Sequence, residues 1–323
     1  MLSPLALPAQ AAPLQYLSGS GDKAAPVVSL TWGVLIISCI VTLLIAGLLA
    51  GAIWHRPGLR MTPGERAPVA QEEGGLAWLW WGVGLSSLAL LFTVGWTMAV
   101  LARIQAPAAK PAVTIEITGR QWWWQAKYRG SDPGQTFITA NEIHIPVGEP
   151  VRLELIGGDV IHSFWVPQLA GKMDAIPGQT NETWLEASKP GTYLGQCTEY
   201  CGVQHAHMAL KVIADKPADF QAWRDHQLEA PVSDNAPDQE VFENHCGGCH
   251  AVRGTDAAGT LGPDLSHLMT RTSLASASFA NDDAHLAHWI AAPQSLKPGN
   301  LMPTVPLQGR ERAQIQSYLE TLK

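Results

Sequence analysis

The second half of the chain carries a cluster of soft metal ligands. It reads Cys197-Thr-Glu-Tyr-Cys201-Gly-Val-Gln-His205-Ala-His-Met208, and His162 lies upstream of it. Thiolates, imidazoles and a thioether together favour copper. Two cysteines four residues apart on one loop can bridge two metal ions. A disulfide between them is the alternative, but it leaves the histidines and the methionine unexplained. The spacing predicts a metal centre on a rigid scaffold.

A second motif follows, Cys246-Gly-Gly-Cys249-His250. C-x-x-C-H is the attachment signature of a c-type haem, whose vinyl groups take both thiols while the adjacent histidine ligates iron. The alternatives are a redox disulfide and half of a zinc site. The zinc reading lacks its second half, because no further C-x-x-C follows in the sequence.

A methionine commonly provides the sixth iron ligand of such a haem. Met302 lies in the Pro-flanked run Lys297-Pro-Gly-Asn-Leu-Met302-Pro and is the predicted ligand. Met269 is expected to be a core residue. His285 and His288, three residues apart on a predicted helix at 283–290, are expected to be solvated.

The elements around these motifs follow from periodicity. From residue 113 apolar and polar residues alternate, which predicts short strands and a β-sandwich or barrel. After the haem motif helical periods return, and the last helix carries an apolar stripe that should pack on the haem-attachment helix. The predicted strands are 113–118, 142–146, 151–156 and 183–187, and the last helix is 309–322.

Two runs without charged residues precede this part, at 24–55 and 74–102. Each is longer than the ~20 residues that cross a bilayer, so we predict membrane helices at about 29–54 and 76–103. Tryptophans at the run ends are typical of membrane interfaces. The alternative, buried core helices, would need a large soluble core.

The loop between these helices contains Arg56, Arg60 and Arg66, whereas the N-terminal segment contains only Lys23. The positive-inside rule therefore places the loop in the cytoplasm and both termini outside. Residues 1–26 lack the basic start and clean apolar stretch of an obvious signal peptide.

Composition limits the class of protein. The 323 residues are 46% hydrophobic and 15% charged, which excludes a disordered chain. The net charge of −7 argues against a nucleic-acid partner. The predicted domains are an N-terminal segment (1–26), two transmembrane helices (27–104), a copper domain (110–215), a linker (216–236) and a haem domain (237–323).

The pattern C-x-E-x-C-x3-H-x2-M with an upstream histidine resembles subunit II of haem–copper cytochrome c oxidases, and the haem motif behind it resembles the caa3 type. The resemblance implies a Greek-key cupredoxin holding the dinuclear copper centre CuA and an all-α class I cytochrome c. By this match Cys197 and Cys201 bridge the coppers, and His162 and His205 are terminal ligands. Met208 and the Glu199 carbonyl are weak ligands, and the Glu199 side chain ligates magnesium at the border with subunit I.

The segment Gly119-Arg-Gln-Trp122-Trp-Trp124 resembles the family's aromatic stretch. The match makes Trp122 the surface residue through which electrons enter CuA, while Trp123 and Trp124 are expected to be strand packing. The family often has a glutamate before the second helix, at the mouth of a proton channel. Gly75 stands there in this sequence, and whether Glu72 or Glu73 substitutes stays open.

The resemblance implies a subunit that takes electrons at haem c and passes them through CuA to subunit I, where oxygen is reduced and protons are pumped. Expected partners are subunit I, subunit III and other oxidase subunits, a cytochrome c or equivalent donor, and the lipid bilayer of a bacterial plasma membrane, with both soluble domains on the outer face. The alternatives are the small subunit of a CuA-containing nitric oxide reductase and a stand-alone membrane-anchored electron carrier.

Overall fold

The computed structural model describes residues 14–55, 76–111, 113–130, 132–231 and 235–323. The described residues form two compact units. Arg56, Arg60, Arg66, Glu72, Glu73 and Gly75, on which the orientation and the proton-channel question depend, lie outside the described residues.

The smaller unit, residues 26–105, holds two long helices, α1 (Ala24–Trp54) and α2 (Ala77–Ile104). Both are long enough and apolar enough to cross a membrane. The helices meet where Gly33 faces Trp96: a Cβ on Gly33 would lie 2.3 Å from the indole ring. Their apolar side chains are otherwise largely exposed, as expected of surfaces that face lipid.

The first folded part of the larger unit is a β-sandwich of two sheets. One sheet has the order β3-β2-β1-β5-β8 and the other β4-β10-β9-β6-β7, and each contains one parallel pair, β1 with β5 and β4 with β10. The strands are β1 (Val113–Arg120), β2 (Trp123–Tyr128), β3 (Phe137–Ala140), β4 (Glu142–Pro146), β5 (Val151–Gly157), β6 (His162–Trp165), β7 (Met173–Ala175), β8 (Asn181–Leu185), β9 (Gly191–Cys197) and β10 (Ala209–Asp215).

Residues that point inward at every second position of the strands form the sandwich core. Along β5, every second residue from Val151 to Gly157 is buried. The inward side chains of both sheets form one apolar cluster, and that cluster includes Cys197, Cys201 and Met208. The predicted metal ligands therefore stand at the margin of a packed core that fixes their positions.

The predicted linker, 216–236, contains a helix, α3 (Pro217–Leu228). Pro217 occupies its first turn, where the missing N–H costs nothing. Phe220 is buried in the sandwich core, and Trp223 stacks on His144 with ring centroids 4.1 Å apart. This part of the segment is thus packed on the copper domain.

The haem domain is helical. Phe242 and Tyr318 pack between its first and last helices, with ring centroids 5.2 Å apart. Ile315, Leu319 and Leu322 are buried in the same core, which confirms the predicted packing of the last helix. The elements are α4 (Ala236–Cys246), β11 (Ser273–Leu274), β12 (Phe279–Ala280), α5 (Asp283–Ala291), α6 (Pro293–Leu296) and α7 (Gly309–Thr321).

The fold confirms the predicted class: two apolar helices, a cupredoxin-like β-sandwich and a helical cytochrome domain.

Candidate metal centres

The cysteine pair is the centre of the first site. Cys197 ends β9 and Cys201 lies in the loop after it, with their Sγ atoms 3.8 Å apart. Both side chains are buried, at 1% and 3% exposure. The free thiols lie side by side, as two ligands shared by one metal cluster would.

Two imidazoles face this pair. His162 Nδ1 lies 3.9 Å from Cys197 Sγ, and His205 Nδ1 lies 3.5 Å from Cys201 Sγ. His162, Cys197 and Cys201 place one ligand atom each within 4.8 Å of one another. The remote strand β6 and the local loop after β9 therefore supply the same site.

The weaker donors are also in place. Met208 Sδ lies 3.8 Å from Cys201 Sγ, and the Glu199 carbonyl oxygen lies 3.3 Å from Cys197 Sγ. Met208 is fully buried. All six residues named from the sequence thus converge, and their soft sulfur and nitrogen atoms suit copper.

An acidic residue orients one imidazole. Asp159 Oδ1 lies 2.7 Å from His162 Nε2, and its carboxylate also accepts hydrogen bonds from the backbone N–H groups of Gln121 and Val160. Because Nε2 is held by the carboxylate, Nδ1 is the nitrogen that faces Cys197. Sequence reasoning missed Asp159, although it stands only three residues before His162.

The hydrogen bond between the two thiols shifts their pKa values in opposite directions. A hydrogen bond from the Cys201 thiol lowers the pKa of Cys197. Donating that bond, together with burial, raises the pKa of Cys201. A lowered pKa favours the thiolate, which is the form of cysteine that binds metal.

Trp122 contacts the cluster loop directly. Its indole Nε1 donates a 3.0 Å hydrogen bond to the carbonyl of Cys201. Gly202 follows that carbonyl with φ +117, and a Cβ there would lie 2.9 Å from the indole ring. Trp122 is only 8% exposed, so the prediction of a surface residue was wrong on this point. Its side chain packs in the sandwich core, and Ser276 and Lys297 of the haem domain donate to its backbone carbonyl.

The neighbouring tryptophans, Trp123 and Trp124, pack against other side chains. Trp124 is fully buried and meets Phe164 edge-on at 5.5 Å, as expected. Trp123 lies under Arg120, 5.9 Å from ring centroid to guanidinium carbon. His207 is exposed, and its Nδ1 lies 2.9 Å from Gln204 Oε1, which fits an ordinary loop histidine.

The haem motif forms the end of α4 and the turn after it. The backbone N–H groups of Cys249 and His250 both bond the Cys246 carbonyl, at 3.0 Å, which brings the three side chains to one turn. His250 Nδ1 lies 2.8 Å from the Pro263 carbonyl, so Nε2 is the nitrogen left for iron. Burial lowers the pKa of His250, favouring the neutral imidazole that ligates metal.

The two methionines have different surroundings. Met302 is half-buried in a loop fixed by Gln294, whose side-chain amide donates to the Met302 and Asn300 carbonyls at 2.8 Å. Met269 packs against the apolar core of the haem domain, which confirms its predicted role. His288 is exposed, and the half-exposed His285 lies 2.7 Å from the exposed Asp282.

Fold and sites together define a membrane-associated cupredoxin joined to a c-type cytochrome. Residues 131–215 match the family "Cytochrome C oxidase subunit II, periplasmic domain", and residues 238–323 match "Cytochrome c". A segment that matches the periplasmic domain of subunit II is thus followed by a segment that matches cytochrome c.

Similar proteins include cytochrome c oxidase subunit 2 of Alkalihalophilus pseudofirmus, 43% identical over 65% of this chain and 61% of the relative. That of Bacillus subtilis is 32% identical over 67% of this chain and 64% of the relative. The chain thus spans somewhat under two thirds of these relatives. Among solved structures, the periplasmic domain of subunit II of cytochrome oxidase (CoxB) of Bradyrhizobium japonicum is 34% identical, covering 38% of this chain and 96% of that domain with a TM-score of 0.35.

Proposed function

We propose that the chain is the electron-entry subunit of a haem–copper oxidase that reduces oxygen to water. Electrons would arrive at a covalent haem c and continue through a dinuclear copper centre to the catalytic subunit I. The observation that carries this proposal is the convergence of four donors, two imidazoles, a thioether and a carbonyl, on a cysteine pair with Sγ atoms 3.8 Å apart.

The chain's residues would perform three tasks. Cys246 and Cys249 would attach the haem, with His250 and Met302 as its axial ligands. Cys197 and Cys201 would bridge the coppers, with His162, His205, Met208 and the Glu199 carbonyl completing the set. Trp122 would connect the two, because its indole is hydrogen-bonded to the Cys201 carbonyl.

The remaining expectations belong to the assembled enzyme. Oxygen reduction and proton pumping would occur in subunit I, alongside subunit III and other subunits. The half-buried Glu199 side chain would hold magnesium at the subunit I border. A cytochrome c or equivalent carrier would be the donor. The two apolar helices would anchor the chain in the bacterial plasma membrane, with both soluble domains outside.

Purification of the intact complex tests this function. We expect haem c and haem a absorption bands, two copper ions in this chain for each covalent haem, and a large haem-containing partner. Oxygen consumption without nitric oxide reduction would separate an oxidase from a nitric oxide reductase. A chain that purifies without any haem-containing partner would instead be a stand-alone carrier and would contradict the proposal.

A further inference from the structure

Lys297, in the haem domain, is an unusual lysine. It is 4% exposed, and its ammonium donates to three backbone carbonyls. These are Trp122 at 3.2 Å, His207 at 2.9 Å and Ala275 at 3.3 Å. None of the ion pairs among the described residues includes Lys297. Lysine is rarely buried without a charged partner, so its placement needs a reason.

Two of those carbonyls belong to the copper domain. Trp122 precedes β2, and His207 lies directly before the predicted ligand Met208. The third, Ala275, belongs to the haem domain, as does Lys297 itself. One ammonium group therefore ties the two domains together beside the candidate copper centre.

Ala275 lies at the start of a turn with a strained backbone. Ala275, Ser276 and Ala277 have φ values of 51, 60 and 57, in a left-handed region that alanine and serine seldom visit. This turn joins β11 to β12 and delivers the Ser276 hydroxyl to the Trp122 carbonyl at 2.6 Å. Consecutive strained residues persist only where their surroundings fix them, and they concentrate at functional contacts.

Lys297 also begins the loop that ends at Met302. Along this loop, the Pro298 carbonyl accepts a 2.5 Å hydrogen bond from the Gln204 amide. A Cβ on Gly299 would lie 2.9 Å from Val203. Gln204 and Val203 belong to the loop between Cys201 and Met208. The candidate iron-ligand loop thus packs against the candidate copper-ligand loop.

Hydrogen bonds from strands β4 and β10 to the haem domain support the same interface. Glu142 in β4 is 2% exposed and accepts from the Thr272 backbone N–H at 3.0 Å and the Ser273 hydroxyl at 2.6 Å. Lys211 donates to the Thr272 hydroxyl at 2.6 Å. These hydrogen bonds and those of Lys297 together hold the haem domain over the face that contains Trp122.

We propose that Lys297 is a positioning residue that clamps the Met302 loop onto the Cys201–Met208 loop, with the Trp122 backbone between them. The clamp fixes the distance and orientation of these two loops. The inference rests on the proposed function, since it names a residue that positions that same copper site relative to the haem.

The test uses the full chain in detergent with its haem and copper bound. Lys297→Met removes the ammonium but keeps the length of the side chain. We expect backbone hydrogen exchange at 200–208 and 273–278 to accelerate by about tenfold or more, because three buried carbonyls lose their donor. Electron equilibration between haem and copper after flash reduction should slow by about tenfold or more, because the two loops lose their fixed geometry.

Three readouts separate positioning from general damage. Copper content, the copper spectrum and the haem c spectrum should stay as in the wild type. The rate at which added soluble cytochrome c reduces the haem should not change. Lys323→Met, which removes an exposed lysine from the same domain, should change none of these quantities.

Ser276→Ala provides a gentler variant if Lys297→Met does not fold. It removes one hydrogen bond to Trp122 and should change exchange and electron equilibration in the same direction, by less. Unchanged exchange and unchanged equilibration in these variants would overturn the clamp. Loss of copper or haem from the wild-type chain would instead refute the proposed function.

Discussion

Gly119 lies directly against the imidazole of His162: a Cβ on Gly119 would be 2.8 Å from the ring atom Cδ2. His162 is fully buried, so the ring has no free space to move into. Because glycine has only a hydrogen atom there, strand β1 can pack against the candidate copper ligand that β6 supplies.

Gly119→Ala should therefore displace His162 from the cysteine pair. Overpacking of this kind costs ~1–3 kcal/mol of stability, and the misplaced ring should lower copper occupancy. Metal analysis and the copper absorption bands measure the effect, with the haem c spectrum expected to be unchanged. Gly134→Ala is the matched control, because a Cβ there meets nothing within 4 Å. Equal copper content in both variants would contradict this role.

Replacing either of the two proposed bridging thiols should abolish the proposed copper centre. In Cys197→Ser or Cys201→Ser a hydroxyl replaces a thiolate, and a hydroxyl is a harder and far less acidic ligand. We expect loss of bound copper and of electron transfer, with haem c retained. Normal copper content and turnover in either variant would refute the assignment.

Met302→Ala should remove the Met–iron absorption band and lower the haem potential, because a thioether ligand raises it. The haem should remain attached, since Cys246 and Cys249 are untouched. Met269→Ala should leave the band in place and cost ~1–3 kcal/mol in stability, because this side chain is only partly buried in the core. The reverse pattern in optical spectra would exchange the two assignments.

Glu142 gives the domain interface a pH dependence. Burial by itself would raise its pKa, but hydrogen bonds from Ser273 and Thr272 and the charge of Lys211 outweigh burial and lower the pKa below its ordinary 4.5. A lowered pKa in the folded state means that the carboxylate stabilises the fold above pH 4.5. This stabilisation is lost as pH falls through the folded-state pKa.

Hydrogen exchange at 272–274, followed from pH 7 down to pH 3, should therefore show weakening protection at the acid end after correction for intrinsic exchange rates. Glu142→Gln should already be weakened at pH 7, by ~1–3 kcal/mol, and should lack the acid transition. Glu240→Gln, at an exposed acid in α4, serves as control. A Glu142→Gln variant that keeps the wild-type acid transition would show that another group is responsible.

Topology is testable by proteolysis. Protease added to intact spheroplasts should release fragments bearing residues 110–323, because the basic loop between the helices is expected to stay in the cytoplasm. A cytoplasmic marker protein should remain intact in the same sample. Protection of 110–323 until the membrane is permeabilised would reverse the orientation.

The copper-site geometry was largely predictable because five of its six donors lie in one segment. Cys197 to Met208 form a single loop, so their spacing fixes which side chains can meet. His162 comes from another strand: its residue type made it a candidate ligand, and the family resemblance assigned it the terminal position. The haem motif is local in the same sense, since its three residues occupy one turn.

The domain interface was beyond sequence reasoning. Lys297 resembles any loop lysine in the sequence, and its burial depends on where two separate domains place their loops. The Ala275–Ala277 turn contains no glycine, so its left-handed backbone has no local signal. The error about Trp122 has a different origin, because its side chain packs in the core of its own sandwich. Helix α3 did leave a signal, the proline in its first turn.

The short connection between α3 and α4, residues 229–235, has a thermodynamic consequence. A short tether gives attached domains an effective concentration in the millimolar range. Contacts worth only ~4 kcal/mol correspond to a dissociation constant of ~1 mM. At the effective concentration of the tethered domain, such contacts keep the haem domain docked on the copper domain about half of the time. Each further ~1.4 kcal/mol raises the ratio of docked to undocked forms tenfold. The same contacts between separate molecules at micromolar concentration would leave them almost entirely apart, so covalent fusion allows even a weak interface to persist.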